Sequence, residues 1–393
     1  MAGALAVAVV LAAGACVPPG GGPGPDPHGP PKLRMNDVQV LASHNSYHVE
    51  PEAPLLDLLR GALGDEVNGF QYTHMPLADE LDHGVRQVEL DVFVDTPEGG
   101  HYATPKLVPI AGVSPPDPRM SGPGLKVFHV QEVDFRSTCP TFVSCLEDVR
   151  DWSDAHPDHL PIVIQLEAKD GLIPDPGLGF VTPIPWSATA FADAEAEIRS
   201  VFPAPRQDRG GRGHRRDRII TPAEVRGGAP TLRDGVLRDQ WPTLENARGR
   251  IMFTLDDTGA KRQMYRSLRP EVDDRLIFVA AQPPADDAAF VVVNDPIRDA
   301  ARIHDLVAQG FLVRTRADAE TVEARSGDTT MREAAWASGA HFVSTDYVVP
   351  DDRFGTGYVV ELPGDPGGPG RCNPVAAPPG CTARQLRERR HHR

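Results

Sequence analysis

The sequence predicts a single (β/α)8 barrel of the TIM type with long βα loops. Short runs rich in β-branched residues alternate with longer amphipathic stretches, the pattern of repeated β/α units. Eight such runs fall within about 310 residues, a length that suits one closed barrel. No Gly-rich phosphate loop follows the first run, which counts against the runner-up, an open doubly wound sheet.

The elements divide the 393 residues as follows. Residues 1–15 are an apolar run ending in small residues, which reads as a signal peptide too short to span a bilayer comfortably. The Ala-Gly-Ala before Cys16 resembles a lipobox, making Cys16 a candidate lipidation site, although ordinary signal cleavage is the alternative. A Gly/Pro-rich linker covers 16–32, the barrel 33–365, and a basic, cysteine-containing tail 366–393. Within the barrel the expected strands are 38–42, 85–93, 125–130, 160–167, 250–255, 276–280, 311–314 and 341–345. The run 290–294 competes with 276–280 for the sixth place or adds a strand. Helices are expected over 140–155, 188–201, 296–309 and 329–339. The Gly/Arg-rich stretch 204–218 and the basic C-terminus offer no apolar face, so both read as solvated, with contact to anionic lipid as the functional alternative.

Four of the five cysteines form close pairs in sequence, Cys139 with Cys145 and Cys372 with Cys381. Two local disulfides and an oxidising compartment follow, so the chain is expected to be exported, either secreted or anchored at the cell surface through Cys16. The net charge of −15 excludes a general nucleic-acid binder, which needs a basic face.

The chemistry lies in where the polar residues fall. Barrel enzymes draw functional groups from the C-terminal ends of strands. His44 and Asn45 follow the first run, Glu89 and Asp91 lie near the end of the second, His129 near the end of the third, and Glu167 ends the fourth. Residues i and i+2 on a strand share a face, so Glu89 and Asp91 set two carboxylates side by side in the apolar segment VRQVELDVF. A bound cation would relieve that cost. Oxygen ligands from Asn45, Glu89, Asp91 and Glu167 suit Ca2+ or Mg2+ rather than zinc. His44 and His129 then remain to take a proton from an attacking hydroxyl and to give one to a leaving group.

Lys169 and Arg314 are the candidate substrate-binding cations. Their alternatives are a solvated loop lysine and a partner for a carboxylate in the barrel mouth. Asp346 follows the eighth run and reads as a residue behind the ligands. His48, His74, His83 and His101 lack strand-end placement and read as surface histidines.

The stretches SHNSYH, GVRQVELDVFVD, KVFHVQEVDFRSTC, LPIVIQLEAKD, WPTLENARGRIMFTLDD, LVRTRAD and GAHFVSTDYVVPDDRF resemble the bacterial calcium-dependent phosphoinositide-specific phospholipase C family over most of 36–363. They are also similar to the catalytic half of the eukaryotic phosphoinositide phospholipases C. The resemblance implies that His44 and His129 are the catalytic pair and that Asn45, Glu89, Asp91 and Glu167 hold Ca2+. It also implies a phosphoinositide lipid substrate at a membrane surface, cleaved by attack of the inositol 2-hydroxyl to diacylglycerol and an inositol cyclic phosphate. Two alternatives remain: a glycerophosphodiester phosphodiesterase, which typically carries His-Arg-Gly where this chain has His44-Asn45-Ser46, and a non-catalytic surface lipoprotein.

Overall fold

The computed structural model describes residues 31–205 and 217–389. The expected signal peptide, Cys16 and most of the Gly/Arg-rich stretch lie outside the described residues. Eleven strands are present among them: β1 (Val38–Ser43), β2 (Val85–Phe93), β3 (Lys126–Val127), β4 (Ile162–Lys169), β5 (Ile219–Ile220), β6 (Ile251–Leu255), β7 (Ile277–Val279), β8 (Phe290–Val292), β9 (Leu312–Arg316), β10 (Phe342–Thr345) and β11 (Arg371–Cys372). The parallel wall runs β1-β2-β4-β6-β7 on one side and β1-β10-β9-β8 on the other. A single bridge from Ala280 to Phe290 joins β7 to β8 and closes the ring. Helices pack outside it, as the alternating pattern predicts.

β2 shows how the wall works. All nine of its residues are buried, with Val88, Leu90 and Val92 on one face and Gln87, Glu89 and Asp91 on the other. The apolar face joins the core shared with the surrounding helices. The polar face looks into the barrel, where Gln87 donates to Gln165 of β4 at 3.0 Å and Asp91 lies level with Glu167.

Two expectations are corrected. The run 125–130 is not a stave of the barrel: only Lys126–Val127 is a strand, and it pairs antiparallel with Val92 and Phe93. The chain leaves β2 on a long excursion over the barrel mouth and returns from above. Lys126 then locks the segment, its buried ammonium 2.9 Å from Asp95 and hydrogen-bonded to the carbonyls of Gly122 and Gly124. The missing stave is supplied because 276–280 and 290–294 both form wall strands. The second correction concerns the basic tail, which is not merely solvated. β11 pairs antiparallel with β1, Leu386 is buried, and Glu388 accepts from the buried Arg86 guanidinium at 2.9 and 2.5 Å.

Both disulfides form as expected, Cys139–Cys145 and Cys372–Cys381. The helix Phe142–Ala155 starts two residues later than expected, because the Thr141 side chain accepts from Ser144 N in a capping box. Ala188–Val201 appears over the expected span, and the other two helices are trimmed to Ala300–Ala308 and Thr330–Ala337. A second hydrophobic cluster, including Leu55, Leu59, Phe93, Phe128 and Phe135, builds the excursion into a cap beside the mouth. No helix among the described residues is long and apolar enough to cross a membrane.

Candidate active site

The turn after β1 is clamped to both neighbouring strands. His44 N donates to Thr345 O at 2.9 Å, while Ser46 N donates to Glu89 O and Ser46 Oγ accepts from Glu89 N. Asn45 between them sits at φ 49°, a left-handed conformation that Asn tolerates better than most residues. His44 Nδ1 meets Asp346 Oδ1 at 2.7 Å, and the other oxygen of Asp346 accepts from Arg316 at 2.9 Å. Burial and the Arg316 guanidinium together pull the His44 pKa down to about 4, against the opposing pull of Asp346. Burial alone would raise Asp346, but His44 and Arg316 outweigh it and hold that carboxyl well below the usual range. Arg316 is the permanent cation of the group, so Asp346 stays ionised while His44 stays neutral.

His129 lies outside the wall, at the head of a hairpin in which Val130 and Asp134 exchange two backbone hydrogen bonds of 2.9 Å. The hairpin turns Asp134 back so that its Oδ2 lies 2.8 Å from His129 Nδ1 and 2.7 Å from His48 Nε2. His48 Nδ1 lies 3.0 Å from the carbonyl of Tyr72. Both ring nitrogens of His48 therefore face acceptors, the Tyr72 carbonyl and the Asp134 carboxylate. Burial works against ionising Asp134, but His48 and His129 outweigh it and its pKa is lowered. The result is two His–Asp dyads, each with its aspartate held by a further side chain, Arg316 on Asp346 and His48 on Asp134.

Between them lie the carboxylates. Oxygens of Glu89, Asp91 and Glu167 come within 4.8 Å of one another. Asn45 donates to the Tyr72 hydroxyl at 2.9 Å, leaving its Oδ1 buried without a hydrogen bond. Both oxygens of Asp91 are also buried without a hydrogen bond, Oδ2 having only the Lys169 ammonium at 3.3 Å. Burial pushes the Asp91 carboxyl well above its ordinary range; Lys169 opposes this, and the neighbouring Glu167 and Glu89 add to it. Orphaned buried oxygens and crowded like charges fit a hard, oxygen-seeking cation.

The two expected substrate-binding cations are both turned to these carboxylates. Lys169 Nζ lies 3.2 Å from Glu167 and 3.3 Å from Asp91. Arg314 is buried within β9, which runs two residues past it, and holds Glu89 at 2.5 Å, Asn294 at 2.6 Å and Ser344 at 3.2 Å. That is the carboxylate-partner alternative for Arg314, whose Nε is buried without a hydrogen bond.

His48 and His74 are corrections as well. Neither is a surface histidine: His48 supports Asp134, and His74 Nδ1 is paired with buried Glu80 at 2.6 Å, which in turn accepts from Ser43. His83 is exposed, as expected, and His101 half-buried, and both hydrogen-bond to carbonyls away from the dyads. Sequence reasoning missed Asp134 and Arg316. Asp134 carried a signal, an acid five residues after His129; Arg316 lay two residues beyond a strand end placed too early.

A cavity of about 1120 Å3 opens over the site. His44, Asn45, His129, Arg316 and Asp346 line it together with apolar side chains from the cap and from the loop after β4, and with Glu66, Asp175 and Glu320.

A family model described as phosphoinositide phospholipase C, Ca2+-dependent, matches residues 33–374. No curated protein sequence matches the chain. Among solved structures it is similar to the calcium-dependent phosphoinositol-specific phospholipase C of a Gram-negative Pseudomonas species, at 16% identity and TM-score 0.50, covering 87% of this chain and 96% of that one. A Ca2+-dependent phosphatidylinositol-specific phospholipase C from Streptomyces antibioticus is similar at 17% identity and TM-score 0.48, over 80% and 95% of the two chains.

Proposed function

The chain belongs to the Ca2+-dependent phosphoinositide phospholipase C family, and from that premise we propose that it cleaves phosphatidylinositol-type lipids to diacylglycerol and an inositol cyclic phosphate. The observation that carries the reading is the convergence of the two His–Asp dyads on one cavity, beside a carboxylate cluster with orphaned oxygens.

Asn45, Glu89, Asp91 and Glu167 are the residues that would hold Ca2+. When bound, the ion supplies charge stabilisation for the phosphoryl oxygens. Each histidine uses Nδ1 on its aspartate, leaving Nε2 for the substrate. His44, kept neutral, accepts the proton of the inositol 2-hydroxyl as its oxygen attacks phosphorus. His129 gives a proton to the glyceride oxygen as the P–O bond breaks. Asp346 and Asp134 hold the rings in the tautomer this requires, and Arg316 and His48 hold the aspartates. Arg314 and Lys169 position Glu89, Asp91 and Glu167 and have no direct role with substrate.

The two disulfides support an exported protein acting at a membrane surface. Lipidation of Cys16 would anchor it there; transfer of labelled fatty acid to the wild type and not to Cys16→Ser is the expected result. The reaction is tested by measuring water-soluble inositol phosphate released from phosphatidylinositol with Ca2+ and then with chelator. Release is expected only with Ca2+. Cleavage of glycerophosphodiesters instead would favour the glycerophosphodiesterase alternative.

A further inference from the structure

We infer that the apolar part of the cavity is a binding trough for the acyl chains of a single lipid molecule, so that the enzyme recognises the leaving glyceride as well as the head group. This rests on the reaction proposed above. The cavity of about 1120 Å3 exceeds the usual range for pockets that enclose a whole small ligand, and an inositol phosphate needs only its polar end. The remainder is walled by Leu59 and Leu63 of the helix Ala53–Leu63, Ile110 of the helix Leu107–Ala111, and Ile173, Leu178 and Phe180 of the loop after β4.

The trough lies on the correct side of the reaction. His129, which serves the leaving oxygen, borders the apolar wall: the Phe70 ring meets it edge-on at 5.8 Å, and Val130 and Val133 continue the lining. His44 instead borders Asp346 and Arg316. Chains extending from the leaving glyceride therefore enter the trough, while the inositol ring stays at the polar end.

The walls are built without help from a bilayer. The cap has its own hydrophobic cluster, which takes in Leu59 and Leu107 and packs Ile173 and Phe180. The Asp175 carboxylate accepts from the backbone N–H groups of Gly177, Leu178, Gly179 and Phe180, closing the lip at Leu178. Glu132 accepts from Lys106 N and from Val181 N at 2.8 Å, tying both sides of the trough to the His129 hairpin. Charge argues against the competing use of this surface, adhesion to an anionic bilayer. Among the described lining residues, Glu66, Asp175 and Glu320 are acidic and the only Lys or Arg is Arg316, which is held by Asp346.

The test uses the Ca2+-loaded enzyme and monomeric substrates below their micellar concentrations: dibutanoyl- and dihexanoyl-phosphatidylinositol and glycerophosphoinositol. kcat/KM is expected to rise on the order of tenfold or more from the dibutanoyl to the dihexanoyl lipid, since each buried methylene favours binding. Leu63→Asn and Leu178→Asn alter side chains already 37% and 42% exposed, so the fold tolerates them. They should lower the dihexanoyl rate constant roughly tenfold and leave glycerophosphoinositol unchanged. Rates for the monomers that do not depend on chain length, with the variants losing only vesicle association, would overturn the trough. Calorimetric binding of monomeric dihexanoyl-phosphatidylcholine needs no turnover. Binding that weakens in Leu178→Asn, with no inositol phosphate from any substrate, would retain the trough and withdraw the proposed reaction.

Discussion

His44 and His129 each lean on one buried aspartate, but the two aspartates are balanced in different ways. Asp346 sits at the end of β10 and is held by Arg316 at the end of β9, both on the rigid wall of the barrel. Asp134 sits in a hairpin of the cap and is held by the buried imidazole of His48. A guanidinium keeps its charge at any ordinary pH, whereas an imidazolium in a buried site depends on its partner. The first dyad is therefore anchored by the fold. The second is anchored by a buried His48–Asp134 hydrogen bond that is itself part of the fold of the cap.

The largest effects should come from the histidines themselves. His44→Ala and His129→Ala are each expected to lower kcat by roughly 100-fold or more, measured as inositol phosphate release. Near-wild-type turnover in either would remove that residue from proton transfer. The aspartates separate the dyads. Asp346→Asn should also lower kcat by 100-fold or more by disturbing the His44 tautomer, with little change in melting temperature because Arg316 keeps the Asp318 carbonyl at 2.9 Å and the Asp318 carboxylate at 3.9 Å. Asp134→Asn should lower kcat and also destabilise the fold by about 1–3 kcal/mol, because it weakens the buried hydrogen bond that ties His48 to the cap. Equal melting temperatures for the two variants would erase the distinction.

The pH dependence of stability follows from the same pair. Asp134 has a lowered pKa in the folded state, so its contribution is present above the ordinary aspartate range and is lost as pH falls through and below it, under about pH 4. Thermal melts across that range should show a steeper loss in wild type than in Asp134→Asn.

Glu89→Gln should weaken calcium binding, read by titration, and also loosen Arg314. An unchanged titration would remove Glu89 from the ligand set. The smallest effect is expected from Arg316→Gln. Removing the guanidinium that depresses His44 raises its pKa, by on the order of one unit. Since His44 must be neutral to accept a proton, the acid limb of kcat/KM moves to higher pH, and no movement would show that Arg316 does not tune the base.

Much of the site was legible because it is local in sequence. His44-Asn45, Glu89-x-Asp91 and Glu167 declare themselves through strand alternation and strand-end position, which a single chain displays. What balances them was not. Arg314 reaches Glu89 and Arg316 reaches Asp346 across the barrel, and His48 reaches Asp134 from another loop. Such contacts are made by the tertiary fold and leave no periodic trace. The segment 125–130 was misplaced for a related reason: β-branched residues announce a strand but not its direction, so a return from above the mouth read as a stave. In the tail, basic composition hid one buried leucine and one glutamate that closes on Arg86.

The most direct measurement is phosphorus NMR of phosphatidylinositol turnover, run with Ca2+, with chelator, and with His44→Ala. Two dyads acting across a cation-bearing carboxylate cluster predict an inositol cyclic phosphate signal that appears only with Ca2+ and the intact histidine. The same signal in chelator, or phosphatidate in its place, would contradict them.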